Sequence, residues 1–400
     1  MIRIKKELLT LSEYCSGCGL CKSLNSVNFY TDEKGFVYPH LSDNDYDLCK
    51  YVCPASGYAL KYYADGSIWG TIKTSWLGWS MDEDIRFKAS SGGVITSLCI
   101  YLIEHNIVDG IIQIKKDPQN PTKTINVLSR THNDVLACMG SRYTSSSPLS
   151  NIKQQIKSGE KYAFVGKPCD VSALRMYKEL HKEPWTEQIE YMFSFFCAGQ
   201  PSETANNKLL KALGIEDKKE CKDLQYRGNG WPGKARAWDK NGTSQQMDYE
   251  TSWMRILGRD VRRCCRFCAD GTGEMADISC GDAWYLTEDN RADIYTEHPG
   301  QNVIFARTDV GQQLLEKALK DKVIYANRFD PIKGLLHKRQ PYHYARKASL
   351  SSLKLAMKIC RRNFPIYDRK KLAMFSKDFP IKSKIYRCLG TIQRVLKKII

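Results

Sequence analysis

Cys15, Cys18 and Cys21 stand at successive three-residue intervals, and Cys53-Pro54 follows after a gap. Cubane iron-sulfur clusters take four thiolates, and a C-x2-C-x2-C run completed by a Cys-Pro is a spacing that holds them. Cys15, Cys18, Cys21 and Cys53 are therefore expected to carry one 4Fe-4S cluster. A structural zinc site also accepts four thiolates with C-x2-C spacing. The third cysteine of the run and the Cys-Pro favour iron-sulfur.

In two-cluster ferredoxins the fourth cysteine of each motif serves the other motif's cluster. Counting back from Cys53 puts Asp43, Tyr46 and Cys49 where a second motif would need thiolates, and Asn25 where the first motif's own fourth ligand would fall. A single cluster in a ferredoxin-like segment is the reading, with Cys49 a remnant.

Farther along are Gly166-Lys-Pro-Cys169, Phe195-Phe-Cys197-Ala-Gly-Gln-Pro201, Tyr226-Arg-Gly-Asn-Gly-Trp231, Cys265-Arg-Phe-Cys268-Ala-Asp270, Ala276-Asp-Ile-Ser279 and Gly281-Asp-Ala-Trp284. In this order they resemble the beta subunit family of coenzyme F420 hydrogenases and dehydrogenases. The resemblance runs from about Cys15 to Lys333. It implies FAD beside a second 4Fe-4S cluster, whose ligands, carried over by motif, are Cys169, Cys197, Cys265 and Cys268. On spacing alone, Cys169 and Cys197 sit just past two expected strands and Cys265 and Cys268 form a C-x2-C bite, with a buried core thiol the lesser reading of Cys197. Cys264 and Cys280 depart from the pattern as alternative ligands. Cys99, Cys138, Cys221, Cys360 and Cys388 lack metal spacing and read as structural.

A flavin dinucleotide carries a diphosphate, and a helix N-terminus opened by a Gly-rich turn suits one. Ser90-Ser91-Gly92-Gly93 before Val94 fits, and it matches the family's Gly-Gly flavin segment, with Ser91 where relatives often have Asp. Gly140-Ser-Arg142-Tyr143 resembles the family's basic-Tyr flavin motif, with Arg142 a candidate phosphate partner; Lys167 of the Pro-Cys motif joins the expected flavin residues. All of these would also serve as ordinary turn and cap residues. Gly228 to Gly233 satisfies G-x-G-x-x-G, but polar residues precede it and strand-like alternation follows, so it is not a dinucleotide fingerprint.

The elements that must position these residues read as an α/β domain. Val94 to Ile103 reads as a buried helix, Val171 to Leu180 and Gly311 to Lys320 as helices, and Val108 to Ile114, Tyr162 to Val165, Ile189 to Phe196 and Val303 to Arg307 as strands. Asn241-Gly242 predicts a tight turn between strands Lys234 to Trp238 and Gln245 to Tyr249. The expected organisation is a ferredoxin-type segment at 1–63, a mixed α/β domain for FAD and 4Fe-4S at 64–333, and a basic amphipathic tail at 334–400.

The formal net charge of +17 belongs mostly to that tail, where 18 Lys and Arg from Lys338 onward face only Asp368 and Asp378. Pro380 to Ile400 places Ile381, Ile385, Leu389, Ile392, Leu396 and Ile399 at helical spacing among basic residues. This pattern suits either an anionic membrane surface or packing on the body. No nucleic-acid module accompanies it, so nucleic acid is not an expected partner. With 16 Cys, no secretory leader and no apolar run of membrane-spanning length, the expectation is a reduced, cytoplasmic chain, peripheral to the membrane's inner face where the tail docks.

The functional expectation is an iron-sulfur flavoprotein oxidoreductase, with two 4Fe-4S clusters and FAD, that moves electrons between a small-molecule hydride donor or acceptor and a redox protein partner. A reductase in cell-surface polysaccharide synthesis is one alternative. A zinc-stabilised, non-enzymatic binding protein docking through its tail is the other.

Overall fold

The structure, a computed structural model, describes residues 2–59 and 67–397. The expected boundary at 63/64, Lys398 and Ile399 lie outside these residues.

Eight strands form one mixed sheet: β1 (Thr74–Ser80), β2 (Gly110–Lys116), β3 (Thr124–Ser129), β4 (Tyr162–Gly166), β5 (Ile189–Phe195), β6 (Ile278–Asp282), β7 (Asn302–Ala306) and β8 (Ile324–Arg328). Their spatial order is β8-β1-β7-β6-β5-β4-β2-β3. The strands β2, β4, β5 and β6 run parallel in the middle, and antiparallel pairings extend the sheet on both sides.

Side chains alternate between the two faces of a strand. Ile111, Ala163 and Phe193 accordingly enter one core, while their neighbours Ile112, Phe164 and Met192 enter another. Helices α1 (Val94–Glu104), α2 (Pro168–His181) and α3 (Asp309–Lys320) cover the sheet, α1 and α3 on the first face and α2 on the second. A sheet covered by helices on both faces is the layered α/β architecture expected from the sequence.

Strands Ala235–Asp239 and Ser244–Met247 pair across the Asn-Gly turn, with Cys221–Gln225 on the other side. The N-terminal segment carries helices Ile2–Glu13, Leu20–Asn25 and Tyr46–Val52 and a hairpin of Phe29–Thr31 and Val37–Pro39. The basic segment folds into α4 (Pro341–Ala348), α5 (Leu350–Ile359), a turn of helix at Arg369–Phe375 and α6 (Ile381–Leu396). Its Leu350, Leu353, Met357, Leu372, Phe375 and Val395 share one core with Leu11, Tyr14 and Phe267. No described helix is long and apolar enough to cross a membrane.

Candidate functional site

The carboxyl ends of β4, β5 and β6 lie side by side, the edge at which open α/β sheets hold their ligands. After β4, Lys167-Pro168-Cys169 turns directly into α2, with Pro168 in the first helical turn, where its missing N–H leaves no bond unmade. Past β5, the Cys197 N–H donates to the Gly271 carbonyl (2.9 Å), drawing in the loop that follows Cys265 and Cys268. The Asp270 carboxylate shapes that loop by accepting the N–H groups of Thr272, Gly273 and Glu274 at 3.0, 2.8 and 3.0 Å.

Cys169, Cys197, Cys265 and Cys268 are brought close enough for their charges to act on one another. Burial pushes the Cys197 thiol up to about 11, Cys268 to about 12 and Cys169 well above the usual range. Cys265 differs: the Cys264 thiol 4.0 Å away donates to it and outweighs burial, bringing it down to about 6. The Gln200 N–H also donates to the Cys265 sulfur, at 3.4 Å. Buried thiols with raised pKa values release their protons to a cation that takes their place, so this donor set could hold a metal cluster. Cys280 is shifted by burial alone and lies near Cys99, away from the four.

The other expected ligand set surrounds a cavity of about 40 Å³ lined by Cys15, Cys18, Cys21 and Cys53. Cys49, read from the sequence as a remnant, lines it too. The Cys15–Cys21 loop needs its glycines: Gly17 has φ +74°, and a Cβ there would meet the Arg262 guanidinium at 2.7 Å. The Gly17 N–H donates to the Cys15 sulfur (3.2 Å). Asn25 donates to Asp45 (3.1 Å) and Tyr46 to Glu7, so both are engaged away from the cavity. Among the described residues no three His, Cys, Asp or Glu side chains meet closely enough to hold one metal ion. The thiols of this set line one small space.

Along the sheet edge opens a cavity of about 1210 Å³, whose walls include Ser91, Gly93, Arg142, Tyr143, Lys167 and Cys197. Gly93 precedes α1, whose first N–H, that of Val94, donates to Asn302 Oδ1 (3.3 Å), and the positive end of that helix, Val94 to Thr96, lines the cavity. Gly92 stands behind the wall: a Cβ there would meet Asn302 Oδ1 at 2.7 Å, so helix-to-strand packing requires the glycine. The Ser90 hydroxyl accepts the Ser141 N–H (2.7 Å) and so ties the two expected flavin segments together. Ser91 donates to the Gln301 carbonyl (3.1 Å) and accepts from Asn302 (2.9 Å).

Arg142 donates to the carbonyls of Leu224 (3.1 Å) and Pro121. Its guanidinium lies over the Tyr226 ring, 4.9 Å from the centroid. Lys167 is paired with Asp170 (2.7 Å) and donates to Ser146 (2.7 Å). Arg142 Nε, Asp170 Oδ1 and Gln200 Nε2 are buried without a hydrogen-bond partner among the described residues, and all three residues line the cavity. Orphaned buried polar atoms call for an explanation, and a polar ligand in the cavity supplies one.

Sequence motifs gave no hint of the contribution from α4. Arg346 is buried and donates to the carbonyls of Cys197 (2.8 Å) and Ala198 (3.2 Å), and the Tyr342 hydroxyl donates to Ala198 O (3.0 Å). The Arg346 charge opposes the rise of the Cys197 and Cys268 thiols. Burial and the neighbouring Arg346 lower His343 to about 3, so it faces the cavity as a neutral ring. In all, ten Lys and Arg side chains line the cavity against two carboxylates, Asp170 and Asp282. The rejected Gly228 to Gly233 segment leads into strand Ala235–Asp239 rather than a helix, and Arg227 before it pairs with Asp282 (2.9 Å).

The site is thus a cationic cavity at the carboxyl edge of an α/β sheet with clustered thiols beside it. Residues 75–153 match the family model for the N-terminal part of the coenzyme F420 hydrogenase/dehydrogenase beta subunit, and residues 159–332 that for its C terminus. The chain belongs to this family of oxidoreductase subunits. It is 25% identical over 269 residues to the coenzyme F420 hydrogenase subunit beta of Methanococcus voltae, covering 66% of this chain and 87% of that one. Against the coenzyme F420-dependent sulfite reductase of Methanocaldococcus jannaschii it is 24% identical, covering 76% of this chain but 46% of the reductase. In fold it is similar to a chain of the F420-reducing [NiFe] hydrogenase complex of Methanosarcina barkeri, with TM-score 0.56 and 20% identity over 74% of this chain and 97% of that one.

Proposed function

We propose that this chain is a flavin- and iron-sulfur-dependent oxidoreductase subunit that exchanges electrons between a small-molecule hydride carrier, F420 or another, and a redox protein partner. The observation that supports this most is the convergence of the α1 N-terminus, the Gly140 to Tyr143 segment and Cys197 on one cavity, with Cys169, Cys265 and Cys268 grouped at the same edge. When bound, FAD would supply the exchange between hydride and single electrons, and two 4Fe-4S clusters a path for those electrons.

In this reading Cys169, Cys197, Cys265 and Cys268 hold the cluster beside the cavity, and Cys15, Cys18, Cys21 and Cys53 hold the second. Arg262 lies between the two sets, fully buried, donating to Cys15 O (2.7 Å) and Gln200 Oε1 (3.4 Å). It fixes the N-terminal segment against the loop of Cys265 and so sets the separation of the two sets. The α1 N-terminus, with Ser91, Gly93 and Arg142-Tyr143 around it, receives the flavin's phosphates, and the Lys167–Asp170 pair buttresses the turn into Cys169. The outward side of α6 exposes Ile381, Ile385 and Leu389 beside Lys382, which supports docking on an anionic bilayer surface.

Anaerobically purified and reconstituted protein is expected to carry about eight irons and one FAD per chain, as two four-iron clusters and a flavin would give. Cys53→Ser should leave about four irons with the flavin retained. Zinc in place of iron, with no flavin, overturns the reading.

A further inference from the structure

The cationic lining of the large cavity is uneven. Arg259 and Arg266 come from the segment around the second thiol set, whereas Arg387 and Arg394 come from α6, well beyond residue 332, where the family match ends. Arg387 and Arg394 are two helical turns apart and so share one face, the face on which Thr391 and Val395 are buried. They therefore point toward the body, and all four arginines line the cavity.

These four charges crowd one another. Arg394 lies within electrostatic reach of Arg259, Arg266 and Arg387. Arg259 and Arg266 donate to the carbonyls of Met254 (3.1 Å) and Arg259 (2.7 Å), and the Asp260 carboxylate within electrostatic reach of Arg266 is paired with Lys34 (3.0 Å). None of the four forms a salt bridge among the described residues. The cavity's two carboxylates are already committed, Asp170 to Lys167 at 2.7 Å and Asp282 to Arg227 at 2.9 Å. Bringing four like charges to one side of a cavity costs stability unless an anion offsets it.

The cluster stands close to the reactive end of the cavity. Tyr342, whose hydroxyl bonds the carbonyl after Cys197, is also within electrostatic reach of both Arg266 and Arg394. The cluster is built from segments other than α1 and Gly140 to Tyr143, which the flavin's own diphosphate is expected to occupy. Planar guanidinium groups suit phosphate oxygens, which they grip in pairs.

We propose that Arg259, Arg266, Arg387 and Arg394 form an anion site that holds a phosphate or diphosphate group of the small-molecule substrate, so that α6 selects for anionic substrates. This rests on the redox reading of the cavity. Inorganic pyrophosphate titrated calorimetrically into flavin- and iron-loaded protein tests it. Wild type should bind with an affinity that falls as salt rises. Arg387→Ala/Arg394→Ala should bind tenfold or more weakly, and Arg387→Lys/Arg394→Lys should recover most of the loss, with flavin and iron contents equal in all three. A wild type that does not bind pyrophosphate, or an alanine variant that binds it as tightly, overturns the proposal. Loss of flavin from the alanine variant alone would assign the arginines to the flavin's diphosphate and likewise overturn it. Arginine-dependent pyrophosphate binding by a wild type that takes up neither flavin nor iron would keep the anion site and defeat the redox reading.

Discussion

Arg346 can be changed in a way that separates an electronic role from a packing one. Its two donors hold the carbonyls of Cys197 and Ala198, and its charge faces Cys197, Cys265 and Cys268. Arg346→Gln keeps an amide donor near those carbonyls but removes the charge. Reduction adds negative charge to a cluster, so losing a nearby cation should lower its reduction potential, by ~60 mV or more, which is a tenfold shift for a one-electron couple. An EPR-monitored redox titration reads this directly, with the second cluster at unchanged potential as the internal control. An unchanged potential in both clusters at full iron content would reduce Arg346 to packing. Nothing in the sequence marked this residue, because its bond to Cys197 joins positions 149 apart in the chain. Cys15, Cys18 and Cys21, and the Cys265 and Cys268 pair, by contrast, stood out because their spacing is local, whereas Cys169 and Cys197 were picked out by family motif.

At the scale of elements, α4 is fastened by an ion pair. Lys347 and Glu274 lie 2.5 Å apart, each side chain only 6% exposed. Breaking a buried pair strands a charge and costs about 3–5 kcal/mol, whereas removing both partners costs much less. Lys347→Met should therefore lower the melting temperature sharply, and Lys347→Met/Glu274→Gln should regain part of the loss. Burial raises the Glu274 carboxyl above its ordinary range even beside Lys347. The folded state then binds more protons than the unfolded one between the unfolded and folded pKa values, so stability falls as pH rises through that window. Lys347→Met, in which the carboxyl rises further, should sit nearer wild type at about pH 5 than at about pH 8. A penalty independent of pH, measured by thermal melts, would show that Glu274 stays protonated or finds another cation.

The same scale shows which elements were legible. Strands β2, β4, β5 and β7 and helices α1, α2 and α3 were visible in the apolar pattern because both sheet faces are covered, which makes these segments strongly apolar. Strand β1 was not, since Gly78 and the hydroxyl residues Thr74, Ser75 and Ser80 break its alternation. Its place is fixed instead by pairing with β7 and β8. The segments expected to meet a flavin were legible as turns before or between elements, but Gly92 proves to be a packing glycine.

For the whole molecule, the basic segment is a structural part of the body as well as its source of charge. Leu350, Leu353 and Met357 pack with Leu11, Tyr14 and Phe267, so the N-terminal segment and the C-terminal helices complete one core. Each such side chain is worth about 2–5 kcal/mol when truncated, against a total of about 5–15 kcal/mol for a domain. A chain ending at Lys333 should therefore lose iron from the N-terminal set and solubility together, and it cannot report on membrane binding. Point changes on the outer side of α6 can. Ile385 and Leu389 are 54% and 60% exposed, one turn apart, while Arg387 and Arg394 turn inward to the cavity. An in-plane helix needs both apolar area and anionic lipid. Full-length protein should then sediment with vesicles rich in anionic lipid and stay free of zwitterionic ones. Ile385→Glu/Leu389→Glu should weaken vesicle binding about a hundredfold or more, because each change removes roughly 1.5–3 kcal/mol of burial, while Arg387→Ala/Arg394→Ala should sediment nearly as wild type. Equal sedimentation of the glutamate variant would place the membrane contact elsewhere and leave α6 with the cavity alone.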